Sequence, residues 1–508
     1  MQMEFLDEDA EKRHRIRLFT GYGLLAIAIA IGLLLLIYRS WYGYSLTMEG
    51  KVEQSGLVFF STSPSGATIT ANGKALSDRT NARISLPYGQ YNISLSLAGY
   101  RTWRHIVDVQ GGDVQHFNYP LLFPEKLVTK SVGSFDAGTQ LFSVSRDKRW
   151  LVVKQNETDA AVTTKRFAVY DMKDTTKLVT TEYLLPATTY TAGDGSETWS
   201  EVEWSADNHH LLLMHVYTLA GVTAHEYIMF DRTNPDSSQN LTRLMSLSAD
   251  ETLTLFDRKY DQYYGFNATT GVLRTFSQTG NVIRDQIEHV KAYSAEGADT
   301  LLYVTDLPES GKQVAGTVNV MLRQGSKRLL LRRLSSSAEH YMLNVAQYDN
   351  VWYAAVSATG EKGAYLYKDP FAQASATNGA LPNAWRFLRI DQISTLTFSD
   401  NARFLLLGSG QNCTVYDAEL TAVRRFAVTH PLDSPQSAVT WLDGYRLSYV
   451  SGNVLNVLDY DDQNAVGLQG ALASYPTFFS NDGKYILSFS AGENNGVKLD
   501  TTALTVKK

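Results

Sequence analysis

The sequence predicts an all-β ectodomain behind one N-terminal transmembrane α-helix. Three observations predict it: an uninterrupted apolar run near the N-terminus, a short region of alternating strands bounded by Pro/Gly turns, and a long region in which one strand–turn–strand phrase recurs. A chain of 508 residues is too long for one compact domain. Its 29 tyrosines and only 12 prolines favour strands. The net charge of -6 argues against a nucleic-acid partner.

The apolar run occupies residues 18–38, from Leu18 to Tyr38, and reads LFTGYGLLAIAIAIGLLLLIY without a charged residue. At about 1.5 Å per residue, a helix of this length spans the hydrocarbon core of a bilayer. A secretory signal peptide is the alternative, but its apolar region is shorter and ends at a small-residue cleavage site, whereas RSWYGYS follows here. We therefore expect an uncleaved anchor whose partner is the lipid bilayer.

The charged residues around this run predict its orientation. Only Arg39 follows the run closely, whereas four basic residues precede it in a tail of residues 1–17: Lys12, Arg13, Arg15 and Arg17. Because basic flanks stay in the cytoplasm, we expect the tail inside the cell membrane and the rest of the chain outside it. The one cysteine, Cys413, permits neither an intramolecular disulfide nor a cysteine-based zinc site, which fits a bacterial surface protein.

After a linker of residues 39–55, residues 56–123 are predicted to form a small β-sandwich. Residues 91–97 alternate strictly between apolar and polar side chains, as a half-buried antiparallel strand does. Pro64 and Gly66 suit a tight turn, and Asn72-Gly73 fits a type I′ hairpin. Shorter strand patterns occupy residues 57–61, 67–71, 82–86, 104–109 and 114–119.

This region resembles the PEGA domain, a family named for its Pro-x-Gly-Ala signature. The ordered residues that carry the resemblance are Pro64-Ser-Gly-Ala67, Asn72-Gly73, Leu86-Pro-Tyr-Gly89, Tyr91 and Ala98-Gly99-Tyr100. The family usually has a Gly-x-Thr-Pro element in the middle, where this sequence has SDRTNARI. The resemblance implies a non-catalytic surface module of the kind often called carbohydrate-binding-like.

In residues 124–508 one phrase recurs, an apolar strand, a serine, a polar turn and a second apolar strand. Clear copies begin at residues 142, 202, 396 and 478, and looser ones at residues 246, 291, 346 and 440. Several are followed by a third strand that ends at an aspartate, as in FAVYD, YIMFD, CTVYD and LNVLD. The mean spacing of about 48 residues suits a four-stranded blade. We therefore predict a β-propeller of seven or eight blades, with a long-strand sandwich or a solenoid as the alternative.

This repeat region resembles the TolB-like and WD-repeat β-propellers. The turn of residues 480–484, Ser-x-Asp-Gly-Lys, matches them best. In such a ring, loops that leave the fourth strand of a blade share a face with loops that join its second and third strands. Two insertions are predicted on that face, residues 186–201 and residues 307–317.

The first insertion, PATTYTAGDGSETWSE, is the predicted ligand-binding loop. Tyr190, Asp194 and Trp199 are its candidate binding residues, because rigid aromatic rings beside small polar groups suit recognition of a sugar face or a protein surface. The alternative is a surface insertion that the fold tolerates.

Two motifs in the repeats imitate enzymes. Ser145-x-x-Lys148 and Ser399-Asp-Asn401 match two motifs of penicillin-binding enzymes, but both fall on the repeated turn, and no Lys-Thr-Gly follows. No catalytic residue is therefore expected.

Two groups of possible metal ligands also lack the required spacing. His209, His210 and His215 flank one apolar strand without a zinc-ligand pattern. The acidic turn formed by Asp459, Asp461 and Asp462 lacks the glycine bend of a calcium loop. We expect no metal and no cofactor.

The sequence thus predicts a membrane-anchored extracytoplasmic protein that is not an enzyme. Its propeller would bind or scaffold a surface glycan, a wall polymer or a protein. One alternative is a propeller hydrolase or lyase, which a paired-carboxylate or histidine–carboxylate cluster in the central channel would favour. The other is an accessory subunit of a membrane complex.

Overall fold

The structure is a computed structural model that describes residues 8–42, 44–46, 52–156, 165–308, 314–376, 381–434 and 437–506. The chain divides into two compact units, Met1–Lys126 and Leu127–Lys508.

The first unit begins with a long helix, α1 (Glu8–Tyr42). Its segment Arg15–Leu34 has a mean hydropathy of 1.9 and no buried residue, so its length and composition suit a membrane span. The helix extends beyond the predicted apolar run at both ends. Two short antiparallel strands follow, β1 (Tyr44–Leu46) and β2 (Val52–Gln54), so the region predicted as a linker contains regular structure.

The rest of the first unit is a small two-sheet sandwich, as predicted. Its strands are β3 (Gly56–Phe60), β4 (Thr68–Ala71), β5 (Lys74–Arg79), β6 (Ala82–Leu86), β7 (Gly89–Ser96), β8 (Trp103–Val109) and β9 (Val114–Phe117). One sheet has the order β6-β3-β9 and the other the order β5-β4-β7-β8. The strands β3 and β9 are parallel, and the other neighbours are antiparallel. Alternate side chains of β8 are buried, which accounts for its period of two.

The tight turns of the sandwich have the predicted conformations. Asn72 and Gly73 have φ values of 48° and 80° and join Ala71 to its strand partner Lys74, as a type I′ hairpin requires. Gly66, with φ of 89°, adopts a left-handed conformation that favours glycine.

The second unit contains eight four-stranded antiparallel sheets within the residues that the structure describes. We number these blades in chain order. Blade 1 comprises β11 (Gln140–Val144), β12 (Trp150–Lys154), β13 (Lys165–Asp171) and β14 (Val179–Leu185). Blade 2 comprises β15 (Glu197–Trp204), β16 (His210–Leu219), β17 (Val222–Asp231) and β18 (Gln239–Asn240). Blade 3 comprises β19 (Glu251–Leu255), β20 (Gln262–Asn267), β21 (Val272–Ser277) and β22 (Val282–Ile287). Blade 4 comprises β23 (Val290–Glu296), β24 (Thr300–Thr305), β25 (Thr317–Gln324) and β26 (Lys327–Ser335).

The remaining blades follow the same plan. Blade 5 comprises β27 (Tyr341–Tyr348), β28 (Val351–Ala358), β29 (Gly363–Lys368) and β30 (Arg386–Arg389). Blade 6 comprises β31 (Thr395–Phe398), β32 (Phe404–Ser409), β33 (Asn412–Asp417) and β34 (Ala422–Ala427). Blade 7 comprises β35 (Thr440–Trp441), β36 (Arg446–Ser451), β37 (Val454–Asp459) and β38 (Val466–Gly470). Short helices, α2 (Leu241–Leu244) and α3 (Pro370–Ala376), occupy two connections.

Blade 8 joins the two ends of this unit. Three of its strands come from the C-terminal part of the chain, β39 (Phe478–Phe479), β40 (Tyr485–Ala491) and β41 (Val497–Ala503). The fourth, β10 (Thr129–Phe135), comes from the beginning of the unit and pairs with β41. The predicted propeller is therefore an eight-bladed ring that closes on itself.

The second strand of each blade is apolar on both faces because each face packs against a different neighbour. In β16, Leu211 and Leu213 pack toward Phe167 of blade 1. The intervening Leu212 packs toward Leu253 of blade 3. This arrangement explains runs such as LLLM, which lack the alternation of a half-exposed strand.

The serines of the repeated phrase, and the polar residue two positions after each, hold together the turns of four blades. Ser399 Oγ donates to Asn401 Oδ1 at 2.7 Å and accepts from Phe404 N at 3.1 Å. Arg403 donates two hydrogen bonds, of 3.0 and 2.8 Å, to Asp417 at the end of the third strand. In three other turns an aspartate takes the place of this asparagine, with Ser145 hydrogen-bonded to Asp147, Ser205 to Asp207 and Ser480 to Asp482. The enzyme-like motifs therefore coincide with structural turns.

The repeated phrase at residue 246 does not lie on the strands that the repeat predicts. The phrase at residue 246 was expected to cover two strands of a blade, but its second half is β19, which is the first strand of blade 3. The turn after β19 is a short 3-10 helix, Phe256–Arg258, that lacks the serine of the repeat. The other seven phrases fall on the first and second strands of their blades.

Candidate functional site

The two aromatic side chains of the predicted ligand-binding loop are buried, whereas Asp194 and the glycines beside it lie at the surface or partly buried. Tyr190 is 2% exposed and Trp199 is 5% exposed, so neither ring of these predicted binding residues presents an open face at the surface. The physical reason is the length of β16 and β17, which have ten residues each and provide a wall for the loop. Asp194 fixes the loop to their hairpin, because its backbone N donates to Thr218 O at 2.9 Å and its Oδ2 accepts from Ala220 N at 2.8 Å.

A buried polar network lies beneath this loop. His215 stacks on Trp199 at 4.1 Å, and its Nδ1 lies 3.0 Å from Glu226 Oε1. Glu226 also accepts from Thr191 N at 2.6 Å and from Asn240 Nδ2 at 2.7 Å. Burial opposes the ionisation of Glu226, but the hydrogen bonds from His215, Thr191 and Asn240 outweigh it and lower its pKa. The loop is thus an ordered part of blade 2, and ligand binding by it stays a prediction.

Two other candidate metal ligands, His210 and Asp459, have protein partners. His210 Nδ1 lies 2.7 Å from Asp207 Oδ2, and its ring stacks on Tyr260 at 4.0 Å. Asp459 accepts from Asn464 Nδ2 at 2.8 Å. The second predicted insertion, residues 307–317, lies partly outside the described residues, which omit 309–313.

A large polar cavity lies where the first strands of neighbouring blades meet. It has a volume of 1010 Å³ and is lined by residues of β11, β15, β23, β27 and β31, by the turns that follow these strands and by the turn after β19. Its charged lining residues are Arg146, Lys148 and Arg258, with Glu201, Glu203, Glu296, Asp299 and Asp400. We call this space the central cavity.

A carboxylate–guanidinium–carboxylate group lies on one wall of the central cavity. Arg258 Nε is 3.9 Å from Glu203 Oε1, and Arg258 Nη2 is 3.4 Å from Glu296 Oε2. Glu203 Oε2 also accepts from Leu255 N at 3.3 Å. Burial raises the pKa of Glu203, and the negative charge of Glu296 raises it further. Two acids in unequal environments therefore face one cation.

The surrounding protein also shifts the pKa values of two further charged side chains of the cavity, Glu201 and Arg146. Burial raises the pKa of Glu201, although this side chain keeps contact with the open space of the cavity. Burial and the nearby Arg258 lower the pKa of Arg146. Perturbed ionisable groups that share a cavity are typical of functional sites.

A second cavity of 430 Å³ adjoins the central cavity, and we call it the side cavity. It shares Glu203, Arg258 and Glu296 with the central cavity, so the two spaces meet at the ion group. Its other walls carry hydroxyl and aromatic groups from Thr252, Thr254, Tyr264 and Tyr293. The Tyr293 hydroxyl lies 2.8 Å from Thr254 Oγ1. Burial raises the pKa of Tyr293 to about 12, so this group stays neutral.

The repeated turn contained a signal for this site. Arg146 and Asp400 each occupy the position directly after the turn serine, where the repeat tolerates any residue. Both line the central cavity. The variable position of this structural turn therefore contributes two of the eight charged side chains of the cavity.

Comparison with known proteins identifies one part of the chain. Residues 55–122 match the family model of the PEGA domain. The first unit contains a PEGA domain. The match agrees with the predicted bounds to one residue at each end, and the PEGA domain corresponds to the sandwich of β3 to β9. No curated protein matches the chain.

Several solved structures are similar to the chain at low identity. Oligogalacturonate lyase in complex with manganese is 10% identical, with a TM-score of 0.40, and the alignment covers 75% of this chain and 98% of that one. Hsv2p of Kluyveromyces lactis is 12% identical, with a TM-score of 0.39 and coverages of 65% and 97%. Dihydro-heme d1 dehydrogenase NirN in complex with DHE is 11% identical, with a TM-score of 0.39 and coverages of 73% and 75%. The propeller assignment rests on the eight sheets, and the TolB-like and WD-repeat resemblance stays a prediction.

Proposed function

We propose that this chain is a membrane-anchored extracytoplasmic protein whose propeller binds a polar surface ligand in the central cavity. The observation that carries the proposal is the 1010 Å³ cavity with eight charged side chains at the ends of the first strands. Its volume is that of a site for a small molecule or for one segment of a polymer. Convergent charged groups of both signs suit a ligand rich in polar groups.

The proposed location follows from the helix and the PEGA domain. The apolar segment of α1 suits an anchor, and the basic residues before it favour a cytoplasmic N-terminus. The PEGA domain and the propeller then lie outside the cytoplasm, where a surface glycan, a wall polymer or a protein is available as ligand.

The test is a binding measurement on the full-length protein in nanodiscs. The protein is incubated with fractionated cell-surface polymers, and retained material is analysed for the wild type, Glu203→Gln and Asp400→Asn. Glu339→Gln is the matched control, because this side chain is 78% exposed and lies outside the cavity. We expect the two cavity variants to lose the ligand and the control to keep it. Equal retention by all four proteins would contradict the proposal.

A propeller hydrolase or lyase is the second candidate function. The observation that favours it is the arrangement of Glu203 and Glu296 around Arg258, since acids with unequal environments can serve as proton donor and acceptor. The test is the release of short products from the retained polymer. Products that form with the wild type but not with Glu296→Gln would favour the enzyme, and an unchanged polymer would favour binding alone.

A further inference from the structure

The central cavity has more acids than cations. Five carboxylates and three basic groups line it, which leaves an excess of two negative charges when all are ionised. Arg258 is already shared between Glu203 and Glu296. Asp299 is paired with Arg284, which is not part of the lining, so the excess that no side chain balances is one negative charge. A ligand that brings its own positive charge would therefore balance this cavity better than an anionic one.

The wall of the central cavity also has an unused hydrogen-bonding group. Thr300 is 1% exposed, and its hydroxyl has no hydrogen-bond partner among the residues that the structure describes. Buried hydroxyls normally have a partner, because an unsatisfied one costs free energy. Thr300 lines the cavity, so a ligand group there can supply the missing partner.

The side cavity has a different character. It combines the half-buried ring of Tyr293, which packs on the buried Tyr264, with the hydroxyls of Thr252 and Thr254. Aromatic faces pack against the C–H face of a sugar ring, and the hydroxyls beside them can exchange hydrogen bonds with its hydroxyls. Because the side cavity meets the central cavity at Arg258, a chain of linked rings can occupy both.

We infer that the ligand is an amine-bearing amino-sugar oligosaccharide, with protonated amines facing the carboxylates of the central cavity and a neighbouring ring in the side cavity. This inference rests on the proposed function and names the ligand class of the same site. The excess of negative charge in the central cavity favours a cationic ligand. The tyrosine and threonine side chains of the side cavity favour a sugar over a basic peptide.

The experiment compares four probes on the full-length protein in nanodiscs by isothermal titration calorimetry. The probes are the tetramers of glucosamine, N-acetylglucosamine, galacturonate and lysine, at a pH where amines are protonated and carboxylates are ionised. Glucosamine and N-acetylglucosamine tetramers differ only in the acetyl groups that remove the charge. We expect the glucosamine tetramer to bind about tenfold or more tightly than each of the others, as one lost charge-assisted hydrogen bond would give. Its affinity should fall as salt is added.

Variants locate the binding. Glu203→Gln should weaken the binding of the glucosamine tetramer about tenfold. The amide keeps the shape of the side chain and the acceptor for Leu255 N, but it loses the negative charge. Thr252→Val should weaken the binding of this tetramer and leave the affinity for the glucosamine monomer unchanged. The reason is that Thr252 lines the side cavity and not the central cavity. Glu339→Gln should bind as the wild type does, and melting temperatures confirm that each variant is folded.

The outcomes separate the inference from the proposed function. Equal or tighter binding of the N-acetylated or galacturonate tetramer, still weakened by Glu203→Gln, overturns the amine-bearing class and leaves the cavity as the binding site. Tighter binding of tetralysine overturns the sugar class. Absence of binding by all four probes overturns the inference, and if the surface fractions also yield no ligand dependent on Glu203, the proposed function falls with it.

Discussion

Replacing Glu226 with alanine should destabilise the propeller by about 3 to 5 kcal/mol, the usual cost of breaking a buried charged network. Glu226 is 2% exposed and accepts from Thr191, His215 and Asn240. Its removal leaves buried donors without an acceptor, at about 1 to 3 kcal/mol for each. Arg243, the more distant partner at 3.8 Å, is half exposed and regains water, so it adds little.

The assay is urea unfolding of the full-length protein in detergent micelles, followed by tryptophan fluorescence, because Trp199 stacks on His215 within the network. The control is Glu182→Ala, an exposed carboxylate on β14. Glu226→Gln should fall between the alanine variant and the wild type, since it keeps one acceptor oxygen. A loss below about 1 kcal/mol for Glu226→Ala would refute the reasoning, because that is the range of a single exposed ion pair.

The pH dependence gives this prediction a sign. The pKa of Glu226 is lowered in the folded state from its ordinary value of 4.5. Its stabilisation is therefore fully present above that ordinary value and is lost as the pH falls through the folded pKa. The stability difference between the wild type and Glu226→Ala should be constant near neutrality and should shrink in acid. A difference that grows on acidification would contradict the assigned network.

Three other predictions concern separate parts of the chain. Gly66→Val should cost the PEGA domain about 1 to 3 kcal/mol because φ is 89° there, which hydrogen exchange would show as faster exchange of β4 and β5 amides with unchanged propeller amides. The Cys413 thiol is buried and its pKa is raised to about 12, so iodoacetamide should label it only after urea unfolding, and native labelling would contradict its placement. Protease added to intact cells should digest epitopes beyond residue 56 and spare one at the N-terminus, whereas protection of both would refute the orientation.

Local patterns predicted the elements well. The alternation in residues 91–97 and the Asn72-Gly73 pair depend on neighbours in sequence, and both are confirmed. The aspartates that end third strands were recognised as a repeat, although their role as partners of arginines such as Arg403 appears only in the folded blade. The phrase at residue 246 misled because serine and aspartate also occur in ordinary connections.

Features formed by distant segments could not be predicted in this way. The burial of Tyr190 and Trp199 depends on the long hairpin of β16 and β17, whose length does not follow from the repeat. The central cavity draws residues from six blades, and their meeting depends on the closure of the ring. Charges that are far apart in sequence, such as Arg146 and Asp400, give no pattern until the blades are in order.

The pairing of β10 with β41 has a consequence for how the molecule is made. Thr129 and Thr502 share a hydrogen bond of 2.7 Å across 373 positions of sequence. The outermost strand of blade 8 is therefore synthesised before any complete blade, and its strand partner β41 comes last. Contacts this distant in sequence form slowly because a very long loop must close. The eighth blade is thus the final step of assembly, and a ribosome that stops before β41 leaves a ring with an open seam and an unpaired β10.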